Sequence, residues 1–248
     1  MEKVVVLSTN ANSDYAFFIP YQVKAWHKYG WKVCVLFTHD AVEFSYLPDA
    51  DYNIVLPEFD GVRTQTVAQA SRLYAANHLP EDALIMTCDM DLIPLSDYWH
   101  PQPENITIYG HDLTWFSYFP MGYVAMLGSK WKELFKLTGD TEYDMGIGFL
   151  KYKEMVQSDD WEQWWNYDWK YLTDTLMPIK NQLTLINRGQ IDIAGATLAK
   201  GRIDRYNIAV TAGQPEPFVD FHGHNTSMSN PERLKEFTDI YERFHGKV

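Results

Sequence analysis

Apolar and polar positions along the first third of the chain fall into short blocks that predict strands and helices in turn. Val4 to Leu7 is a β-branched run that reads as a fully buried strand. The polar loop Ser8-Thr9-Asn10-Ala11-Asn12-Ser13-Asp14 follows, and from Tyr15 to Tyr29 the residues Phe18, Gln22, Ala25, Trp26 and Tyr29 fall near helical spacing, with Gly30 as a stop. Val33 to Phe37 predicts a second buried strand and Asn53 to Pro57 a shorter third one. Thr66 to Asn77 predicts a helix with Val67, Ala70, Leu73 and Tyr74 on one face. Leu84 to Cys88 is the next strand. This alternation is the sequence mark of βαβ units, so the fold class expected is α/β, with a mainly parallel central sheet flanked by helices.

The second half is less regular. Ile106 to Tyr109 and Tyr123 to Leu127 read as strands, Ser129 as the N-cap of a helix over Lys130 to Leu137, and Gly146-Ile147-Gly148 as a turn. Trp161 to Leu176 is aromatic and in part helical. Ile191 to Ala194 and Phe218 to Phe221 read as short strands, and Asn230-Pro231 opens a final helix over Glu232 to Phe244. No repeat, low-complexity segment or linker divides the chain, so one compact domain is expected.

Composition narrows the partners. The 248 residues carry a net charge of −12, which argues against nucleic acid and against a basic membrane-surface protein. No apolar stretch is long enough to span a bilayer, and the apolar part of the N-terminus is too short for a signal peptide, so a soluble, cytoplasmic protein is expected. Cys34 and Cys88 sit in apolar runs and read as reduced core thiols. Aromatic content is 15%, with nine Trp and sixteen Tyr; such rings suit sugar faces, but most are expected to pack the core.

The strongest chemical signal is Asp89-Met90-Asp91, two carboxylates delivered by a buried strand. Carboxylates so close repel unless a cation sits between them, and a divalent ion with oxygen ligands, accompanied by a phosphate-bearing substrate, is the usual solution. Asp49-Ala50-Asp51 has the same spacing without a feeding strand and reads as solvated surface. In Asp220-Phe221-His222-Gly223-His224 the two histidines and Asp220 would share one side of an extended strand. A histidine added to the acidic couple would make a mixed site suited to Mn²⁺, with Mg²⁺ as the alternative; His222 is the first choice and His224 the second. Arg72, on the helix before the acidic strand, is placed to pair with Asp89 or to contact phosphate, and Arg63 is a further phosphate candidate. Asp168 stands at a helix start among aromatics, where burial would raise its pKa and the helix N-terminus would lower it.

Taken in order, these motifs resemble the GT-A fold nucleotide-sugar glycosyltransferases with an Asp-x-Asp motif, glycogenin-like and small viral or microbial members. The resemblance rests on Leu7-Ser8-Thr9-Asn10 with Tyr15-Ala16, on Ser71-Arg72-Leu73-Tyr74 before Asp89-Met90-Asp91, on Phe119-Pro120-Met121-Gly122-Tyr123, and on Asp220-Phe221-His222-Gly223. Glycogenin-like enzymes carry an Asp-Gln pair where Asp168 is here followed by Trp169. The resemblance implies a single domain, with residues 1–110 binding the nucleotide sugar and 111–248 the acceptor. It implies metal ligation by Asp89, Asp91 and His222, donor contacts from Ser8, Thr9, Asn10, Tyr15, Arg72, Asp89 and Met90, and Asp168 near the anomeric carbon or the acceptor hydroxyl. The reaction implied is metal-dependent transfer from a nucleoside diphosphate sugar, a UDP-sugar, to a carbohydrate hydroxyl. The alternatives are a zinc hydrolase on Asp220, His222 and His224 and a non-catalytic carbohydrate-binding module. A nucleotidyltransferase would need a Gly-rich, basic loop after the first strand, and Ser8 to Asp14 has no Gly, Lys or Arg.

Overall fold

The computed structural model describes residues 1–46, 49–110, 118–156, 166–193, 196–205, 208–213, 217–224 and 229–247. Seven strands make the central sheet: β1 (Lys3–Thr9), β2 (Lys32–Phe37), β3 (Tyr52–Val55), β4 (Leu84–Thr87), β6 (Ile106–Tyr109), β7 (Val124–Leu127) and β8 (Leu183–Ile186), in the order β3-β2-β1-β4-β7-β6-β8. Only β7 runs against the others, pairing antiparallel with both β4 and β6. β5 (Leu92–Pro94) leaves this sheet to join β11 (Arg202–Asp204) and β12 (Asp220–His222) in the order β11-β12-β5, and β9 (Gln190–Ile193) pairs with β10 (Ala196–Ala199).

Successive residues of a strand point to opposite faces, so the continuous apolar runs place one set of side chains in each of two cores. Val5 and Leu7 of β1, with Val33, Val35 and Phe37 of β2, pack into one core; Val4 and Val6, with Cys34 and Leu36, pack into the other. The large aromatics mostly serve these cores: Trp26, Trp31, Trp99 and Trp131 are fully buried, and Trp99 stacks on Tyr123 with centroids 3.8 Å apart. Both cysteines are buried and free.

Several boundaries differ from the pattern reading. The helix expected over Tyr15 to Tyr29 is two, α1 (Ser13–Ala16) and α2 (Ile19–Lys28), because Pro20 suits the first turn of a new helix and not the interior of a longer one. The next begins earlier, as α3 (Thr64–Ser71), and tightens into a 3-10 helix over Arg72–Asn77. Ser129 does not cap; α4 (Gly128–Phe135) begins one residue before it, and the Ser129 amide donates to the Glu81 carbonyl at 2.8 Å. The expected turn at Gly146 to Gly148 is the interior of a long helix, α5 (Thr141–Val156). Gly148 is there for close approach, since a Cβ would lie 2.2 Å from the Tyr74 hydroxyl and 2.5 Å from that of Tyr167. α6 (Tyr167–Leu176) accounts for the described part of the aromatic stretch; Trp161 lies outside the described residues, as does Ala194 of the expected Ile191 strand. α7 (Ile208–Thr211) is a single turn. α8 (Pro231–His245) is capped by the Asn230 side chain as expected. Among the described residues no helix is long and apolar enough to cross a membrane.

Candidate active site

β1 and β4 are parallel neighbours, with Val6 opposite Thr87, so the Ser8–Asn10 and Asp89–Asp91 segments leave the same edge of the sheet side by side. Ligands of open α/β sheets bind at this carboxyl edge. The chain then turns into β5, which pairs antiparallel with β12 so that Leu92 faces His222, and the Gly223 amide donates to the Asp91 carbonyl at 2.8 Å. This register brings His222, 131 positions along the chain from Asp91, to within 3.5 Å of its carboxylate.

Around Asp91 the groups form a chain. His222 donates from Nδ1 to Asp204 Oδ2 at 3.1 Å and turns Nε2 towards Asp91 Oδ2. Arg205 Nη1 donates to the same Asp91 oxygen at 2.7 Å and to the Gly223 carbonyl at 3.3 Å. Burial works to raise the pKa of Asp91, but His222 and Arg205 outweigh it and hold the carboxyl down at about 2. Burial also disfavours the charged form of His222, yet Asp91 and Asp204 raise its pKa above the ordinary histidine value.

Asp89 belongs to a second group. Arg72, 5% exposed, donates from Nη1 to Asp89 Oδ1 and to the Cys88 carbonyl, and from Nη2 to Asp168 Oδ2 at 2.9 Å. Asp168 lies in the first turn of α6, and its Oδ1 accepts from the Trp169 amide at 2.9 Å. Of the two opposing effects expected at this aspartate, burial wins: it raises the carboxyl to about 6 against the pull of Arg72, with Asp89 adding to the rise. On its other side Asp89 meets Gly122, where a Cβ would stand 2.9 Å from Asp89 Oδ2. The Phe119–Tyr123 segment is pinned there by Thr87, whose hydroxyl donates to the Met121 carbonyl at 2.6 Å and accepts from the Val124 amide at 3.1 Å. Tyr123 takes a left-handed backbone (φ 71°), a strained conformation for a non-glycine residue.

The remaining predicted residues divide. Thr9 is 2% exposed and its hydroxyl donates to the neighbouring Asn10 carbonyl. The Asn10 side chain donates to Thr64 Oγ1 at 3.3 Å, joining the end of β1 to the start of α3. Ser8, in β1, and Tyr15, in α1, are half-buried. Met90 turns its side chain into the core. His224 is half-buried beyond the end of β12, and Asp220 is fully buried between Arg188 and Arg202, whose guanidinium groups hold its carboxyl well below the usual range despite burial. Asp220 therefore does not share a ligand set with His222. The Asp49–Asp51 pair lies at the surface, where Asp51 accepts from the Val33 amide and contacts His27.

Gln22, Asp204 and Arg205 are parts of the site that the pattern reading does not single out. Gln22 is fully buried and donates from Nε2 to the carbonyls of Met90 (2.8 Å) and Leu92 (3.0 Å), with a longer contact to that of Asp89, while its Oε1 accepts from Trp26. It thus holds the loop that carries both acidic residues. Its signal was a lone amide at a core-facing helical position. Arg202-Ile203-Asp204-Arg205 likewise carried a signal, charges flanking an apolar residue in a strand-length run.

The donor set of two carboxylates and an imidazole oriented by Asp204 fits a divalent cation in kind, since metal-binding histidines usually have their second nitrogen held by a carboxylate. As folded, the countercharge is supplied by Arg72 and Arg205, and among the described residues no group of three His, Cys, Asp or Glu side chains converges to hold a metal ion.

No family model matches the chain, and no curated protein matches it. Among solved structures it is similar to the apo form of glycosyltransferase GlyE of Streptococcus pneumoniae TIGR4, at 18% identity and a TM-score of 0.47 over 75% of this chain. A second structure of GlyE gives 15% identity and a TM-score of 0.46 over the same share. The aligned part amounts to 45% of the length of either GlyE chain.

Proposed function

We propose that this chain transfers a sugar from a nucleoside diphosphate donor, a UDP-sugar, to a carbohydrate hydroxyl. The observation that carries the reading is the 3.5 Å approach of Asp91 to His222, beside Asp89, at the carboxyl edge of the sheet. In this reading Asp89, Asp91 and His222 hold Mn²⁺, with Mg²⁺ as the alternative. The ion, when bound, would act as a Lewis acid on the departing diphosphate. Ser8, Asn10 and Tyr15 contact the nucleoside, and Gly122 leaves room for the Asp89 carboxylate. Arg72 braces Asp89 and turns its charge towards the donor phosphates.

Both oxygens of Asp168 accept hydrogen bonds, from Arg72 and from the Trp169 amide, and the side chain is 1% exposed. Those contacts support a positioning role, in which Asp168 orients Arg72; general base catalysis would require one of the bonds to open. The zinc hydrolase reading loses support because both oxygens of Asp220 are taken by arginines.

Calorimetry of UDP binding with Mn²⁺ and with EDTA tests the reading. Metal should tighten UDP binding to the wild type and leave Asp91→Ala unchanged. Equal affinity with and without metal in the wild type removes the metal assignment, and absence of any UDP binding removes the donor. Asp168→Asn should weaken UDP binding as well as slow turnover, because Arg72 loses the carboxylate that orients it; wild-type UDP affinity and turnover together would reject the positioning role.

A further inference from the structure

Arg72 and Arg205 both supply countercharge to the acidic couple, but they are held differently. Arg72 is 5% exposed, and its terminal nitrogens reach acceptors on two separate elements, Asp89 with the Cys88 carbonyl and Asp168. Arg205 follows β11, its side chain is 17% exposed, and its contacts to Asp91 and to the Gly223 carbonyl both come from Nη1. Resting on the metal-assisted transferase reading, we propose that Arg205 is a donor-binding residue: it holds Asp91 in the chain as folded and passes to the donor diphosphate when a divalent cation takes Asp91.

The competition centres on one oxygen. Arg205 Nη1 stands 2.7 Å from Asp91 Oδ2, and His222 Nε2 stands 3.5 Å from that same atom, longer than a good hydrogen bond. The oxygen that the imidazole approaches is thus already engaged by a guanidinium. A small divalent ion contacts a carboxylate oxygen at about 2.1 Å. Two cations on one oxygen repel each other, and the doubly charged one has the stronger attraction for the carboxylate. Asp91 is buried, so water and salt screen that repulsion little.

A displaced guanidinium needs a new anion. The nearby carboxylates are engaged, since Asp204 Oδ2 accepts from His222 Nδ1 at 3.1 Å and Asp89 is held by Arg72. A diphosphate suits the guanidinium better still, because its planar fork forms two parallel hydrogen bonds to phosphate oxygens. Parallel pairing of β11 with β12 sets Asp204 opposite His222 and fixes the backbone just before Arg205, so the exchange asks only its side chain to turn. The ion by itself must strip Arg205 from Asp91 with nothing to receive it, whereas with the diphosphate present the lost contact is replaced. Ion and donor therefore bind cooperatively.

Mn²⁺ alone, titrated into the full chain and followed by electron paramagnetic resonance of the free ion, should bind Arg205→Gln at least ten times more tightly than the wild type. Calorimetry of UDP with Mn²⁺ and with EDTA then measures the cooperativity. The gain in UDP affinity that Mn²⁺ brings should be at least tenfold smaller in Arg205→Gln, because couplings between binding sites are reciprocal. An arginine that only repelled the ion from a fixed place would lower Mn²⁺ affinity equally with and without UDP. Tighter Mn²⁺ binding with an unchanged gain therefore overturns the proposal, as does unchanged or weaker Mn²⁺ binding. In the wild type the side-chain NMR signals of Arg205 should shift when Mg²⁺ and UDP are added together; signals that stay in place overturn the exchange whatever the variant does. If neither protein binds Mn²⁺, the metal reading falls and the exchange with it. If Mn²⁺ strengthens UDP binding to the wild type and Arg205→Gln behaves identically, the exchange alone falls.

Discussion

Asp168 and Asp91 are both buried, at 1% and 7% exposed, and lie in one site, yet their acidities move apart. Asp168 is raised to about 6 and Asp91 is lowered to about 2. Burial acts on both in the same direction, so the difference comes from the cations. Asp168 shares its one guanidinium, Arg72, with Asp89, whereas Asp91 faces both Arg205 and His222. Asp220, between two arginines, follows Asp91. The ratio of buried cations to buried carboxylates, more than burial itself, sets which acid stays ionised.

The comparison can be broken most forcefully at Arg72. Arg72→Met leaves two buried or half-buried carboxylates without their shared partner and should cost about 4 kcal/mol in urea unfolding, the usual scale for half of a buried ion pair. A loss under 1 kcal/mol would mean that water reaches the pair. The next effect is a pH dependence. Because the folded pKa of Asp168 is raised, its contribution to stability is fully present below its ordinary value near 4 and is lost as pH rises through about 6. The stability of the wild type relative to Asp168→Asn should therefore fall between pH 4 and 6, by an amount on the order of 3 kcal/mol at 1.4 kcal/mol per pKa unit. Asp91 acts in the opposite sense: its contribution is present above pH 4 and is lost as pH falls through about 2. A rising difference across pH 4 to 6 would reverse the assignment for Asp168.

Gln22→Leu sharpens the comparison from the backbone side. It removes the donor to the Met90 and Leu92 carbonyls and the acceptor for Trp26, and should cost about 2 kcal/mol, with weaker metal-assisted UDP binding. Unchanged stability and binding would show that the loop holds its shape unaided. Arg205→Ala should have the smallest effect on folding, about 1 kcal/mol, because Arg205 is more exposed than Arg72 and Asp91 keeps His222. A cost equal to that of Arg72→Met would erase the distinction between the two halves of the site.

Much of the first half was legible because strand and helix patterns there are dictated locally. Runs such as Val4–Leu7 and Val33–Phe37 can satisfy their apolar side chains only in a two-sided core, and the acidic couple follows directly from where β4 ends. The errors arose where a residue's role depended on a distant partner. Gly146 and Gly148 read as a turn by composition, whereas Gly148 sits inside a helix because Tyr74 and Tyr167 approach it. Gln22 read as one more helical position, because its three carbonyl partners lie about seventy positions away in the chain.

The sequence by itself determined the α/β alternation, the delivery of Asp89 and Asp91 to a strand end, and the presence of His222, Arg72 and Asp168 as candidates. Tertiary structure alone decided their grouping. The antiparallel pairing of β5 with β12 set His222 against Asp91, the parallel pairing of β11 with β12 set Asp204 behind His222, and the packing of α6 beside Arg72 buried Asp168. Hydrophobic periodicity is a local property written in adjacent residues, while the pKa of a buried acid is fixed by whichever charges the fold brings within a few ångströms.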